Sequence, residues 1–480
     1  MKTPILGSTY VARSVNAADS RMVNLFPEIV PEGGKEPAFL NRCPGLKFQN
    51  RVGVGPIRGL WAHQTRGDDF YIASGNEFYK LTSLTGTPIK LGNISGTGPV
   101  SIADNGTQLF IACGAKGYIY NESTGVFAQI TDPDFPGATT VCYLDGYFVF
   151  NEPNSQKIWV SQLLDGTSVE PLDFASAEGS PDGVVGIIND HKELWVFGTD
   201  TTEVWYNSGN VDFPLAPIQG AFNEIGCLSP WTIQKLDNSI FWLGTDPRGD
   251  GIVYRADGYK GQRVSTHAVE WQIQQYPDLT SATAYTYQQD GHSFYVLNFP
   301  AANTTWVYDA ATNAWHERAG FLDGAFTRQR ADNMCNFQNN TVVGDFENAN
   351  IYTLDLNIYT DNGGIQRWLR SWRALPSGQN DLNRTAQHTL QLDIQAGVGL
   401  NDGQGSDPEV MLRWSDDGGH TWSNEHWVKI GKIGQYGRRA IWRRLGMTEK
   451  IRDRVYEISM TDPVKTTIMG AELHASPTSA

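Results

Sequence analysis

ELWVFGTDTTEVWY (residues 193–206) alternates large apolar residues with small or polar ones, breaks at Gly198-Thr199-Asp200, and then resumes. A period of two puts successive side chains on opposite faces of a strand, so the stretch reads as two short antiparallel strands around a tight turn. The same pattern recurs on both sides of it. Toward the N-terminus it appears as DDFYIASGNEFYKL (residues 68–81), QLFIACGAKGYIY (108–120) and GYFVFNEPNSQKIWV (146–160). Toward the C-terminus it appears as SIFWLGTDPRGDGIVY (239–254), SFYVLNFPAANTTWVYD (293–309) and TVVGDFENANIYTLD (341–355).

The copies begin roughly 38 to 54 residues apart, a period that suits one four-stranded propeller blade. Such a sheet buries both faces only when its neighbours are arranged in a ring. Seven copies imply six or seven blades. Asn105-Gly106, Asp145-Gly146, Asp165-Gly166, Asp257-Gly258 and Asp290-Gly291 are dipeptides that accept positive φ between paired strands, which a helical reading would leave unexplained. The expected fold is all-β, with a β-propeller over residues 56–365. Residues 1–55 contain NLFPEIVPEGGKEP, too rich in Pro and Gly for long strands, and are expected to form an extended arm that helps close the ring.

Beyond Trp372 the pattern changes. A polar stretch from Ala374, ALPSGQNDLNRT, is followed by longer alternating strands such as HTLQLDIQAGVG from His388 and DRVYEISM from Asp453. Residues 366–480 are accordingly expected to form a C-terminal antiparallel β-sandwich.

The chain of 480 residues carries 37 Lys and Arg against 52 Asp and Glu, a formal net charge of −15, so coating of nucleic acid by the whole surface is excluded. Five scattered cysteines without a CxxC pair read as reduced core residues. No apolar run is long enough to cross a bilayer as a helix, and stable membrane insertion is not expected. Neither a P-loop nor a GxSxG elbow is present, and no cofactor or metal is expected.

SDDGGHTW (residues 415–422) fits the S-x-D-x-G-x-T-W pattern of an Asp box. Asp417 would cap turn amides, Gly419 would supply a positive φ, and Trp422 would cover the hairpin, with Ser415 and Thr421 completing the turn. The pattern resembles that of propeller glycosidases, where it lies away from the catalytic centre. It supports an alternative reading as a propeller glycosidase or carbohydrate-binding receptor module, but here it occurs once and outside the repeats. The pairs Asp132/Asp134 and Asp246/Asp250 offer carboxylates for hydrolysis, yet Asp in turns is ordinary for such a chain.

Residues 429–454 form a basic stripe on an acidic protein. A strand here would present Arg438, Arg439, Arg443, Arg444, Arg452 and Arg454 around Trp442, as guanidinium forks for carboxylates or phosphates. Three readings remain at this point: a solvated face whose arginines stack on Trp414, Trp422 or Trp427, a partner-protein interface, or a DNA contact.

The run YGRRAIWRRLGMTEKIRDRVYEISMTDPVK (residues 436–465) resembles the end of the packaged-DNA stabilisation proteins of short-tailed bacteriophages, also called tail hub or nozzle proteins. FLNRCPGLKF from Phe39, GLWAH from Gly59, GPVSIADN from Gly98 and SPDGVVGI from Ser180 resemble the same family in the same order. Several inter-strand loop lengths and the Asp box depart from the family pattern. The resemblance implies a non-enzymatic virion protein of the tail, made in the host cytoplasm, that assembles as a ring, a hexamer, beneath the portal and its adaptor. It implies further partners in a tail needle or plug and in tailspikes or fibres. It also implies passive contact with double-stranded DNA in the conduit, whose acidic wall would let the duplex slide.

Overall fold

A computed structural model describes residues 1–14, 18–63, 69–177, 182–210, 213–378, 383–449 and 454–478. Strands dominate, and the one α-helix among the described residues is His267–Ile273.

The repeats become seven blades built on four antiparallel strands each; Gly226–Cys227 adds a fifth strand to blade five, and Thr360–Asp361 and Gly364–Ile365 extend the sheet of blade seven. Their innermost strands are Ile57–Ala62, Ser101–Asp104, Val141–Leu144, Val184–Asp190, Gln234–Leu236, Thr283–Gln289 and Ala331–Phe337. Apolar clusters lie between consecutive blades rather than within them. Ala103, Phe110 and Ile119 of blade two, for example, pack on Val141, Phe148 and Trp159 of blade three. The last such cluster joins Val342 and Ile351 of blade seven to Ile57 and Ile72 of blade one, which closes the ring. Each sheet therefore buries both faces, and the alternation of large apolar residues follows from that.

Closure also uses the chain's beginning. Blade seven contributes Ala331–Phe337, Asn340–Asp345 and Asn350–Asp355, and its fourth strand is Gly45–Arg51, paired from Asp355↔Gly45 to Asn350↔Arg51.

The first 55 residues are strands of both domains rather than an arm apart from them. Leu25–Ile29 and Ala38–Arg42 form a hairpin at one edge of a five-stranded sheet. Pro27 is accommodated there because an edge strand has one row of amides that needs no partner. Met22–Val23 lies between Ala314–Glu317 of blade six, to which it is parallel, and Trp368–Arg373, to which it is antiparallel. Blade six thus continues without interruption into the C-terminal domain.

That domain is a sandwich. One layer is Trp368–Arg373, Val455–Met460, Glu409–Ser415 and His426–Lys429; the other is Leu25–Ile29, Ala38–Arg42, Thr467–Pro477, Thr385–Ile394 and Ala440–Arg443. Between the layers lie Leu40, Trp368, Trp372, Leu390, Leu412, Tyr456 and Ile458, joined by Ile5, Met22 and Leu25 from the N-terminal segment.

Turn chemistry holds with one exception. Asp145-Gly146 and Asp290-Gly291 both have positive φ at each residue, and Gly106 and Gly258 adopt it in their dipeptides. At Asp165-Gly166 the left-handed residue is instead Leu164, φ 60°. Gly166 is required there for space, since a Cβ would come within 2.8 Å of Ile119 and 2.9 Å of Phe148. Of the five cysteines, all free, Cys43, Cys142 and Cys227 are buried, whereas Cys113 and Cys335 are half-buried because they sit on less covered strand positions.

Candidate functional site

The innermost strands surround a central cavity lined by residues of every blade, among them Trp61, Asp104, Tyr143, Asn189, Lys235 and Asp332. Its empty space, open mouths included, is about 2160 Å³. Groove depths of about 8.5 and 7.5 Å make a B-form duplex at least about 16 Å across. A strand of six residues is about 20 Å long, so a duplex segment crossing one blade would need roughly 4,000 Å³. The cavity of one propeller has about half that volume.

A titratable cluster sits at the end of blade one's inner strand. Buried His63 places Nδ1 3.3 Å from Asp104 and Nε2 2.6 Å from Glu122. Trp61 donates to Asp104 at 3.0 Å, and the Tyr71 hydroxyl donates to Glu122 at 2.6 Å. The hydrogen bonds to Asp104 and Glu122 raise His63 to about 9, so the imidazole is charged at neutral pH. Each carboxylate has a fixed donor, which makes the cluster a clamp between blades one and two. Sequence reading missed it, because GLWAH and GPVSIADN give no sign that His63 and Asp104 meet.

The Asp-box residues fold into one turn of the hairpin between Glu409–Ser415 and His426–Lys429. Asp417 accepts from Ser415 Oγ at 2.6 Å, from the amides of His420 and Thr421 at 2.9 Å each, and from Thr421 Oγ1 at 2.6 Å. These bonds, those of Ser415 and Thr421 foremost, hold its carboxyl below the usual range. Gly419 adopts φ 101°, and a Cβ there would lie 2.6 Å from Asp19 Oδ2. Trp422 is half-buried, with the Arg413 guanidinium 4.7 Å from its ring centre. Of the other nominated carboxylates, Asp132, Asp246 and Asp250 are engaged locally, Asp250 by the Thr245 hydroxyl at 2.5 Å. Asp132 accepts from Asp134 N, Ser168 Oγ and Val169 N, and Asp246 from Arg248 and Tyr254.

The basic stripe divides in two. Arg438, Arg439, Arg443 and Arg444 are exposed, whereas Trp442 and Arg454 are 5% and 3% exposed and face inward. Trp442 fills the sandwich core and donates its indole N–H to His426 O at 2.8 Å. Arg454 forks onto Asp416 at 2.6 and 2.7 Å and donates to Leu445 O, 5.2 Å from the Trp414 ring centre. These two leave the set of outward-facing residues: strand alternation turns Trp442 toward the core, and Arg454, just before the strand Val455–Met460, is held inward by Asp416, which neutralises its buried charge. Arg452 lies outside the described residues. The exposed aromatics Trp427 and Tyr436 and the exposed Ile433 join the stripe, and the only sequence signal for them was an acid-free run from His426 to Thr448.

Comparison with known proteins matches both domains. A family model described as Bacteriophage P22 Gp10, beta-propeller covers residues 1–359, and one described as Bacteriophage P22 Gp10, beta-sandwich covers residues 368–476. The tail hub protein gp10 of Salmonella phage P22 is 20% identical over 461 residues, 91% of each chain. Among solved structures, the β-propeller domain of Myceliophteria thermophila Cps50 (Swd1) aligns with 64% of this chain and 98% of its own at 10% identity and a TM-score of 0.42. The N-terminal domain of Nup159 aligns with 68% and 97%, at 10% identity and a TM-score of 0.40.

Proposed function

The chain belongs to the bacteriophage P22 Gp10 family, and from that membership we propose that it is a structural subunit of a short-tailed phage tail. In this reading it is a hub that extends the head-to-tail connector, helps retain packaged DNA and forms part of the conduit for its ejection. The observation that carries the reading is the collinear match of propeller and sandwich together, over 91% of this chain and of a relative named as a tail hub protein.

The cavity volume adds a constraint. The cavity of one propeller offers about half the volume of a duplex segment, which favours a conduit enclosed by several copies, a hexameric ring in the reading taken from the family resemblance. A net charge of −15 suits a wall along which phosphates slide. The reading is non-enzymatic and places the chain in the virion tail after synthesis in the host cytoplasm. Its neighbours are the portal adaptor above, a needle or plug below, and tailspikes or fibres around it.

Omission tests this directly. Particles assembled without the chain are expected to package DNA, then lose it, and to carry truncated tails, and supplying the chain restores retention. Particles that hold their DNA and have full-length tails without it contradict the proposal.

A further inference from the structure

Two sheet edges meet on the side of the sandwich away from the propeller. His426–Lys429 is the last strand of the nine-stranded sheet and Ala440–Arg443 the last of the five-stranded sheet. The Trp442 N–H bond to His426 O holds them side by side. Exposed edges carry unpaired amides and carbonyls, and proteins ordinarily cover or blunt them.

Here the edges carry Trp427, 56% exposed, and Tyr436, 77% exposed, among four outward arginines. Aromatic residues and arginine are the types enriched where proteins bind one another. The run from His426 to Thr448 contains no acid. Among the described residues, Lys429 is the one cation of this run with an ion pair, to Asp407 at 2.5 Å; Arg439 donates to the neutral Gln391 and Arg438 to Lys429 O.

We infer that this edge is the contact through which one copy of the chain holds the next, its arginines and aromatics seated on an acidic surface of the neighbour. The inference rests on the tail-hub reading and names the partner. Charge complementarity selects a second copy: the chain is −15 overall even with this patch included, so its remaining surface is strongly acidic. The same charge keeps the patch off a two-fold axis, where arginine would face arginine, so the patch meets a different, acidic surface of the neighbour; repeated head to tail, a contact of that kind closes into a ring. Arg443 and Arg444 lie between the buried Trp442 and the buried Leu445, so their backbone is positioned before any neighbour arrives, which lowers the ordering cost of docking.

Sedimentation velocity of the full chain over a series of protein and salt concentrations tests this. The native chain is expected to associate at low salt into a closed species larger than a dimer, and to dissociate as salt rises. Combined Arg438→Ala, Arg439→Ala, Arg443→Ala and Arg444→Ala should weaken association at least tenfold with an unchanged melting curve. The corresponding lysine variants should fall between. Trp427→Ser with Tyr436→Ser is a second, charge-neutral test and should weaken association too. A native chain that stays single under all conditions, a dimer as endpoint, or an alanine variant that associates like the native chain overturns the inference. A single chain in solution that is nevertheless built into tails rejects the self-contact and leaves the hub reading intact. A chain that associates but is absent from tails rejects the hub reading alone. Association that needs added DNA or another virion protein assigns the edge to that partner and overturns the inference.

Discussion

Where the sandwich joins blade six, Arg42, Arg318 and Arg370 are each 1–2% exposed; at its far edge Arg438, Arg439, Arg443 and Arg444 are open to solvent. The inner three are occupied by the chain itself. Arg42 donates to the carbonyls of Asp462, Val464, Tyr359 and Gln366, Arg318 to Pro44 O, and Arg370 to Ile5 O. Burial lowers Arg42 to about 10, still charged at neutral pH, so its guanidinium acts as a fixed clip between the linker and the sandwich. The outer four have few bonds to this chain. Arginine content says little about function in either place; what separates the two regions is whether the chain supplies the acceptors.

The sharpest way to break the inner region is to remove residues 1–51. That deletes the fourth strand of blade seven, the strand bridging the domains, and Met22 and Leu25 from the sandwich core. The expected result is no soluble folded protein, read by size-exclusion chromatography and far-UV circular dichroism. A folded truncation would show that the N-terminal segment decorates the fold and does not complete it.

Next in size is Arg42→Met. Leaving its buried acceptors unpaired should cost about 3–5 kcal/mol in urea unfolding, the scale seen when a buried charged partner is removed. Lysine at the same position should recover little, because one ammonium cannot reach both the acceptors of Nη1, on Asp462 and Val464, and those of Nη2, on Tyr359 and Gln366.

His63 gives a smaller, pH-dependent effect. Its folded value, about 9, lies above the ordinary 6.5, so the stabilisation is fully present below about pH 6.5 and is lost as pH rises through 9. The rise from 6.5 to about 9 corresponds to about 3 kcal/mol unscreened, and with solvent screening the loss should be on the order of 2 kcal/mol, seen as a falling melting temperature across that window and absent in His63→Gln. The outer arginines come last. Each substitution to alanine should change folding stability by less than about 0.5 kcal/mol, and a larger loss would mean that these side chains hold the fold together as the inner ones do.

The propeller was legible because a blade repeats one local pattern, and local alternation is what a sequence displays most plainly. The fate of residues 1–55 was not, because the pairing of Gly45–Arg51 with Asn350–Asp355 spans some three hundred residues and leaves no periodic trace. The Asp-box turn could be read residue by residue, since the side-chain bonds of Asp417 all fall within residues 415–421. The basic stripe could be read only as a stripe. Whether Arg454 turns in or Arg443 turns out depends on Asp416 and the opposing sheet, and Trp427 and Tyr436 gain meaning only once two edges, remote in sheet order, lie together. His63 escaped notice for a related reason: its two carboxylates come from the neighbouring blade.

A cryo-EM map of the assembled tail tests the central claim most directly. The account predicts several copies of this chain around one axial hole wide enough for a duplex, with the cavity of each propeller empty of DNA. Density for duplex running through a single propeller, or isolated copies of the chain set apart from the axis, would contradict it.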